Sequence, residues 1–171
     1  MIVLMAGLPG TGKSTLARAV ASRLHGKVLS KDEIRHTLFA PADVEYSIAQ
    51  DDFVMEIMLQ TAGWIFRQDP RRIVLLDGRT FSRRYQIDRV LEVARALSRP
   101  WRILECVCPE DVARTRIAAQ TESDDHPAGN RTVSLYLELK ARFEPIRLPK
   151  TVIDTGRPLD ECVNLALQAL T

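Results

Sequence analysis

Short apolar runs alternate along the chain with segments in which apolar residues recur at helical spacing. Each run is too short for a helix and is bounded by glycine, proline or charged residues, which is typical of buried strands. The predicted strands cover residues 1–6, 27–30, 72–77, 102–108 and 151–154. The run RIVLLD at 72–77 is the clearest, because consecutive apolar residues indicate a strand covered on both faces.

Helical periodicity fills the segments between these strands. Leu16, Val20 and Leu24 recur on one helical face, and Pro109 with the acid after it is typical of a helix start. The remaining predicted helices cover residues 47–67, 87–97, 133–143 and 159–170. Residues 121–131 are polar and have no periodicity, which predicts a mobile loop.

The alternation of strands and helices predicts an α/β fold with a five-stranded parallel sheet, helices on both faces and right-handed crossovers. In such folds ligands bind beyond the carboxyl ends of the strands. The chain has 171 residues and no linker, repeat or low-complexity tract, so residues 1–171 are predicted to form a single domain.

Charge and cysteine content narrow the possible classes of function only slightly. The 24 basic and 22 acidic side chains give a net charge of +2, which argues neither for nor against a nucleic-acid partner. Cys106, Cys108 and Cys162 lack the spacing of a disulfide framework or metal site, so we expect free thiols. The first residues, MIVLMAG, resemble neither a signal peptide nor a membrane span. We expect a cytoplasmic protein without a membrane partner, and the sequence does not predict its oligomeric state.

The segment GLPGTGKS, residues 7–14, matches the phosphate-binding motif G-x-x-x-x-G-K-[ST] and joins a predicted strand to a predicted helix. Its glycines let backbone amides approach a phosphate, and the helix adds the positive end of its dipole. Lys13 is expected to reach the β and γ phosphates, and the Ser14 hydroxyl to bind Mg²⁺. The residues expected to contact the nucleotide are Gly7, Pro9, Gly10, Thr11, Gly12, Lys13, Ser14 and Thr15.

A carboxylate, Asp77, ends the apolar strand at 72–77, which is the Walker B pattern. We expect it to hold Mg²⁺ directly or through water. The alternative is an ordinary cap or turn residue, because many strands end in aspartate.

The residues SKDEIR, 30–35, place several charges directly after the second predicted strand. If that strand lies near the first, Asp32 lies at the same edge as the γ phosphate, where it can accept the proton of a substrate hydroxyl. Arg35, about one helical turn further, can hold this carboxylate or the acceptor. The alternative is a helix start, with Ser30 or Asp32 as the cap and Glu33 in the first turn. Both interpretations can hold at once.

The segments GLPGTGKST, SKDEIR, LLDGRTFSRR, CPEDVARTR and YLELKARFEP together resemble a family. They are similar to the small P-loop kinases grouped with polynucleotide 5′-kinase, gluconate kinase and zeta-toxin-like phosphotransferases, over nearly the whole chain. The resemblance implies a P-loop NTPase fold of the nucleoside-kinase-like type. It also implies Lys13 and Ser14 on phosphate and magnesium, Asp32 as general base, Arg35 on substrate and Asp77 on magnesium.

The resemblance further implies a small lid, at about 109–131, that closes over the nucleotide and supplies arginines to the transferring phosphate. Arg114 and Arg116 fit the first part of this lid. An arginine that related chains often carry further along is missing here, and Arg131 is its candidate substitute. The alternative is that these arginines belong to a solvated helix face.

Further arginines follow the Walker B carboxylate closely: Arg79, Arg83, Arg84 and Arg89. They either bind an acidic acceptor, such as a sugar acid or a nucleic-acid phosphate, or solvate a helix start. The sequence alone leaves these two interpretations equal.

These observations predict an enzyme, an ATP- and Mg²⁺-dependent kinase that transfers the γ-phosphoryl group to a hydroxyl of a small metabolite. The segments that read guanine (N-K-x-D) and that mark transport ATPases (LSGGQ) are both missing. A polynucleotide 5′-hydroxyl kinase is one alternative, although nucleic acid is not the favoured partner. A nucleotide-binding ATPase or switch without a kinase acceptor is the other. The identity of the acceptor is not predicted.

Overall fold

The structure, a computed structural model, describes residues 1–123 and 132–171. Its centre is a parallel sheet of five strands, in the order β2-β3-β1-β4-β5. The strands are β1 (Ile2–Ala6), β2 (Lys27–Ser30), β3 (Val74–Asp77), β4 (Trp101–Val107) and β5 (Thr151–Asp154). The predicted fold class is therefore confirmed.

Helices cover both faces of this sheet. They are α1 (Lys13–Arg23), α2 (Lys31–Leu38), α3 (Ile48–Gln68), α4 (Arg84–Ala96), α5 (Glu110–Ser123), α6 (Val133–Ala141) and α7 (Leu159–Leu170), and a 3₁₀ turn lies at Pro41–Asp43. In the described part of the chain, no helix combines the length and apolar composition that crossing a membrane requires.

The central strand β1 explains the continuous apolar pattern of its sequence. Ile2 and Leu4 pack into the core formed with α3 and α4, whereas Val3 and Met5 pack into the core formed with α1 and α7. All five residues of β1 are fully buried, because successive side chains of a strand point to opposite faces and both faces are covered.

Strand β2 is not the direct neighbour of β1, because β3 lies between them and Ser30 pairs in register with Asp77. The strands are parallel, so their carboxyl ends still meet at one edge of the sheet. That edge carries the loop after β1, the start of α2 and the segment after β3.

The observed element boundaries bear on two interpretations of the sequence. The charged segment after β2 is a short helix, α2, whose N-cap Ser30 accepts a hydrogen bond from the Glu33 amide at 3.4 Å, so the helix-start interpretation is correct. The mobile loop expected at 121–131 is wrong for residues 121–123, which continue α5, because a helix can extend through polar residues when its preceding turns are packed. Residues 124–131 lie outside the described part of the chain.

Candidate active site

The loop between β1 and α1 folds tightly around its own backbone. Gly7, Gly10 and Gly12 all have positive φ angles (128°, 76° and 75°), a region that side-chain-bearing residues rarely adopt. The Lys13 ammonium and the Thr11 hydroxyl both donate to the Leu8 carbonyl oxygen at 2.7 Å. The motif thus forms a closed backbone loop with Lys13 held at its centre.

Gly7→Ala is expected to destabilise the protein by about 3 kcal/mol, because overpacking and strain at positive φ act together. A Cβ atom on Gly7 would lie 2.3 Å from the Cys106 carbonyl oxygen, which belongs to the backbone of β4. Urea unfolding checks this, with Gly63→Ala as the matched control. A Cβ on Gly63, inside α3, would meet its nearest neighbour at 3.6 Å, so alanine is expected to stabilise this helix slightly. Equal stability of Gly7→Ala and wild type would contradict the tight loop.

Lys13 lies at the junction of two cavities of similar size. The first, of about 430 Å³, is lined by the phosphate loop and the start of α1, together with Arg116, Ala119, Gln120, Thr155, Arg157, Leu159 and Cys162. The second, of about 440 Å³, also has Lys13 in its wall. Its wall includes Pro9, Lys31, Asp32, Arg35, Tyr46, Asp51, Arg79, Arg83, Tyr85, Leu135, Leu139, Arg142 and Glu144. Volumes of this size are typical of small-molecule sites.

Asp32 and Arg35 are both buried in the wall of the second cavity. The Arg35 guanidinium lies 3.6 Å from the Asp32 carboxylate, and the Lys31 ammonium lies 3.7 Å from it. The structure therefore brings Asp32 and Lys13 to the same cavity, as the sequence motif predicts for a carboxylate that faces the γ phosphate.

Asp51, in the first turn of α3, is a member of this cluster that the sequence reasoning missed. Its Oδ1 atom accepts hydrogen bonds from Lys31 Nζ, at 2.7 Å, and from Arg35 Nη2. Burial alone would raise the pKa of Asp51, but the charges and hydrogen bonds of Lys31 and Arg35 outweigh it and hold the pKa below its usual range. The only sequence signal was an acid at a helix start, which cannot show which neighbours it meets.

Asp51→Asn is expected to destabilise the protein by about 3 kcal/mol at pH 7, because it leaves two buried cations without their closest partner. The folded-state pKa of Asp51 is lower than its unfolded value, so the ionised carboxylate stabilises the fold above about pH 3.9 and loses that contribution as pH falls through the folded pKa. Urea unfolding of wild type and variant is expected to show a difference that shrinks below that pH. Asp88→Asn, which breaks the exposed pair with Arg84, serves as the control, expected to cost about 1 kcal/mol or less. A pH-independent difference for Asp51→Asn would contradict the assignment.

Asp77 ends β3 and is buried, and its Oδ1 atom has no hydrogen-bond partner among the described residues. It lines a third cavity with Arg18, Ser30 and Glu33, and Arg18 also lines the first cavity. No group of three or more His, Cys, Asp or Glu side chains suited to a metal occurs in the described ranges. A buried carboxylate oxygen without a partner among the described residues fits a hard cation that keeps most of its water ligands, as Mg²⁺ does. Ser14 lines the first cavity, and the Asp77 and Ser14 assignments stay predictions.

The arginines after β3 divide between the second cavity and the surface. Arg79 is buried and donates to Asp52 at 2.5 Å, and Arg83 pairs with Glu144 at 3.0 Å. Both line the second cavity. In contrast, two arginines form exposed ion pairs outside that cavity: Arg84 with Asp88, and Arg89 with Glu56 and Glu92.

The two arginines of α5 also lie in different environments. Arg116 donates to the Thr155 carbonyl oxygen at 2.8 Å and to its hydroxyl at 3.2 Å, and lines the first cavity. Arg114 is half-exposed, lies 3.6 Å from Glu110 and lines neither cavity, so the structure does not bring it to the site. Residues two apart on a helix point to different sides, which explains the split. Arg131 lies outside the described residues.

Thr155, directly after β5, is a second residue that the sequence reasoning missed. Its hydroxyl donates to the Thr11 carbonyl oxygen at 2.9 Å while it accepts from Arg116, so it connects the phosphate loop to α5. A sequence signal existed, since ligands bind beyond the carboxyl ends of all strands, but nothing distinguished Thr155 from a turn residue.

Solved structures with the same architecture include a chain from Chloroflexus aurantiacus j-10-fl described as a candidate kinase, with a TM-score of 0.78 and 21% identity over 99% of this chain and 98% of that one. The APS kinase CysC of Mycobacterium tuberculosis, in complex with AMPPNP and APS, has a TM-score of 0.73 and 20% identity over 99% and 96% of the two chains. A gluconokinase from Sinorhizobium meliloti 1021 has a TM-score of 0.68 and 20% identity over 99% and 90%. At these identities the likeness shows the fold.

No curated protein matches the chain significantly. The AAA_33 family, described as an AAA domain, matches residues 2–146, which span the phosphate loop, the α2 cluster and α5. This range covers most of the chain, and the resemblance to small P-loop kinases is confirmed at the level of family and fold. The chain therefore belongs to the AAA_33 family of AAA domains.

Proposed function

We propose that the protein is a kinase that transfers the γ-phosphoryl group of ATP to a hydroxyl group of a small metabolite. The observation that carries this proposal is that Lys13 lines two cavities at once, and that the second holds the buried carboxylate of Asp32. A phosphate-binding amine between a nucleotide-sized cavity and a carboxylate-bearing cavity is the arrangement that phosphoryl transfer to a second substrate requires.

In this proposal ATP occupies the first cavity, with its phosphates against the loop amides and Lys13. The acceptor occupies the second cavity, where Asp32 accepts the proton of its hydroxyl group. The acceptor oxygen forms a bond to the γ phosphorus as the bond from that phosphorus to the β–γ bridging oxygen breaks, and ADP leaves. Arg116 lines the first cavity, as do Arg18 and Arg157, and in this proposal it contacts the phosphates.

Mg²⁺, when bound with ATP, would neutralise charge on the phosphate oxygens. Ser14 and Asp77 are the residues that would hold it, because the buried Asp77 oxygen needs a cationic or hydrogen-bonding partner. Two of the solved structures with this architecture are of kinases, and one of them was crystallised with AMPPNP, which supports nucleotide binding and phosphoryl transfer in this proposal.

A second candidate function is a nucleotide-binding ATPase or switch without an organic acceptor. The observation that favours it is that Asp32 has a structural explanation: it lies in the first turn of a helix capped by Ser30, next to Lys31 and Arg35. In that case its carboxylate stabilises α2 and takes no proton.

Incubation with γ-labelled ATP and libraries of hydroxylated metabolites and oligonucleotides tests the proposal. Label that appears on an organic acceptor supports the kinase, and label that appears only on inorganic phosphate supports the ATPase. Label on oligonucleotides alone, with binding that weakens steeply with salt, would instead indicate a polynucleotide kinase.

A further inference from the structure

Five of the cations that line the second cavity are already paired with carboxylates. They are Lys31, Arg35, Arg79, Arg83 and Arg142, and Lys13 lines the same cavity. Lys31 and Arg35 share Asp51, Arg79 pairs with Asp52 at 2.5 Å, Arg83 with Glu144 at 3.0 Å, and Arg142 with Glu138 at 3.0 Å. Counted with Asp32 and with the partners Asp52 and Glu138, which lie outside the lining, these five cations are matched by five carboxylates among the described residues.

The innermost of these pairs are the hardest to open. Arg35 is 1% exposed and Arg79 is 5% exposed, so both guanidiniums are removed from water, whereas the side chains of their partners Asp51 and Asp52 keep 26% and 44% of their exposure. An anionic group that binds Arg35 would have to displace Asp51, the more buried of the two carboxylates, and leave it unpaired. The other way to bind would place the anion beside Asp32, Asp51 and the γ phosphate, where like charges repel it.

A neutral acceptor with several hydroxyl groups meets no such conflict. Carboxylate oxygens accept hydrogen bonds from hydroxyl groups, and guanidinium N–H groups donate to hydroxyl oxygens, so both partners of a pair can be used without breaking it.

Flat apolar surface is also present in this cavity. The Tyr46 ring lies 5.3 Å from the Arg35 guanidinium carbon, and the Tyr85 ring lies 5.9 Å from that of Arg79. Leu135 and Leu139 of α6 line the same cavity and are half-buried. Such surfaces can contact the C–H face of a saturated ring, while the ion pairs around them bind its hydroxyl groups.

We propose that the acceptor is a neutral polyhydroxylated molecule, such as a sugar, an alditol or a cyclitol. It is selected because the ion pairs that line the cavity remain formed when it binds. This inference rests on the proposed kinase function and deepens it. The selectivity against anionic acceptors arises from the carboxylate partners, so removing one of them is expected to weaken that selectivity.

The first test uses acceptors in matched pairs that differ in charge: glucose with glucuronate, glucitol with gluconate, and myo-inositol with its monophosphate, within a wider library built the same way. Transfer from γ-labelled ATP is expected to show kcat/KM at least about tenfold higher for the neutral member of productive pairs. Preference for the anionic member, or transfer only to anionic molecules, would overturn the inference and leave the kinase function standing. Label on inorganic phosphate alone would overturn both.

The second test changes the charge balance of the residues that line the second cavity. Glu144→Gln keeps an acceptor oxygen for the Arg84 amide, which Glu144 now accepts from at 2.7 Å, but it removes the charge that compensates Arg83. The ratio of kcat/KM for neutral over anionic acceptor is expected to fall about tenfold. Glu56→Gln is the matched control, because it removes the charge that compensates Arg89 in an exposed ion pair outside this cavity. This variant is expected to leave the ratio unchanged. An unchanged ratio in Glu144→Gln would show that the pairs do not set selectivity.

Discussion

Replacement of Lys13 by alanine is expected to lower phosphoryl transfer by roughly 10³-fold and to weaken nucleotide binding by at least about tenfold. The reason is the position of this amine: it is buried, it lies at the start of α1 inside the phosphate loop, and it lines both cavities. Without it, the charge on the transferring phosphate loses its closest protein cation in the ground state and in the transition state.

Calorimetric titration with an ATP analogue and steady-state transfer assays measure these two effects. Lys140→Ala is the matched control, because this lysine of α6 forms an exposed pair with Glu110 of α5 and does not line either cavity. The control is expected to behave like wild type. If Lys13→Ala changes neither nucleotide affinity nor turnover, the loop does not bind phosphate and the proposed function falls.

Asp32→Asn is expected to lower phosphoryl transfer by about 10² to 10⁴-fold while nucleotide affinity stays within about tenfold of wild type. Asparagine has nearly the same shape, so it can fill the buried position between Lys31 and Arg35, but it cannot take the proton of the acceptor hydroxyl. A loss of transfer without loss of nucleotide binding would place Asp32 in the chemical step.

An exposed aspartate provides the control for this experiment. Asp88 forms a surface pair with Arg84 and lines none of the three cavities, and Asp88→Asn makes the same chemical change. It is expected to leave transfer unchanged. Full transfer activity in Asp32→Asn, in a variant whose urea unfolding shows an intact fold, would mean that Asp32 serves only α2 and would favour the second candidate function.

The fold could be predicted because its information is local. A strand buried on both faces needs an unbroken apolar run, and the chain shows this directly at β1 and β3. Strands β2 and β5 begin and end where the sequence predicts them, at Lys27–Ser30 and Thr151–Asp154. The phosphate loop is equally local, since its function depends on glycine positions within one turn.

The missing parts of the site depend on contacts between distant segments. Asp51 meets Lys31 and Arg35 only because α3 packs against α2, and a helix-start acid in the sequence carries no sign of this. Thr155 reaches Thr11 across 144 positions of sequence. Long-range pairings of this kind follow from the assembled sheet, so neither residue could be identified from spacing.

The assignment of arginines shows the same limit in a simpler form. Arg114 and Arg116 both fit the linear motif, yet the direction of side chains on α5 brings Arg116, and not Arg114, to the first cavity. Likewise Arg79 and Arg83 face the second cavity while Arg84 and Arg89 form exposed pairs. Helical geometry alone predicts that Arg114 and Arg116 point to different sides of α5. The positions of the four arginines after β3 depend on tertiary packing.

The most direct test of the account is a crystal structure of the protein with MgADP, aluminium fluoride and an acceptor, in which the fluoride group marks the transferring phosphate. We predict that Lys13 Nζ contacts this group and that an Asp32 carboxylate oxygen lies about 2.6–3.2 Å from the acceptor oxygen in line with it. If Asp32 instead stays turned toward Lys31 and Arg35, with no route to the in-line oxygen, Asp32 is not the general base and the kinase mechanism is contradicted.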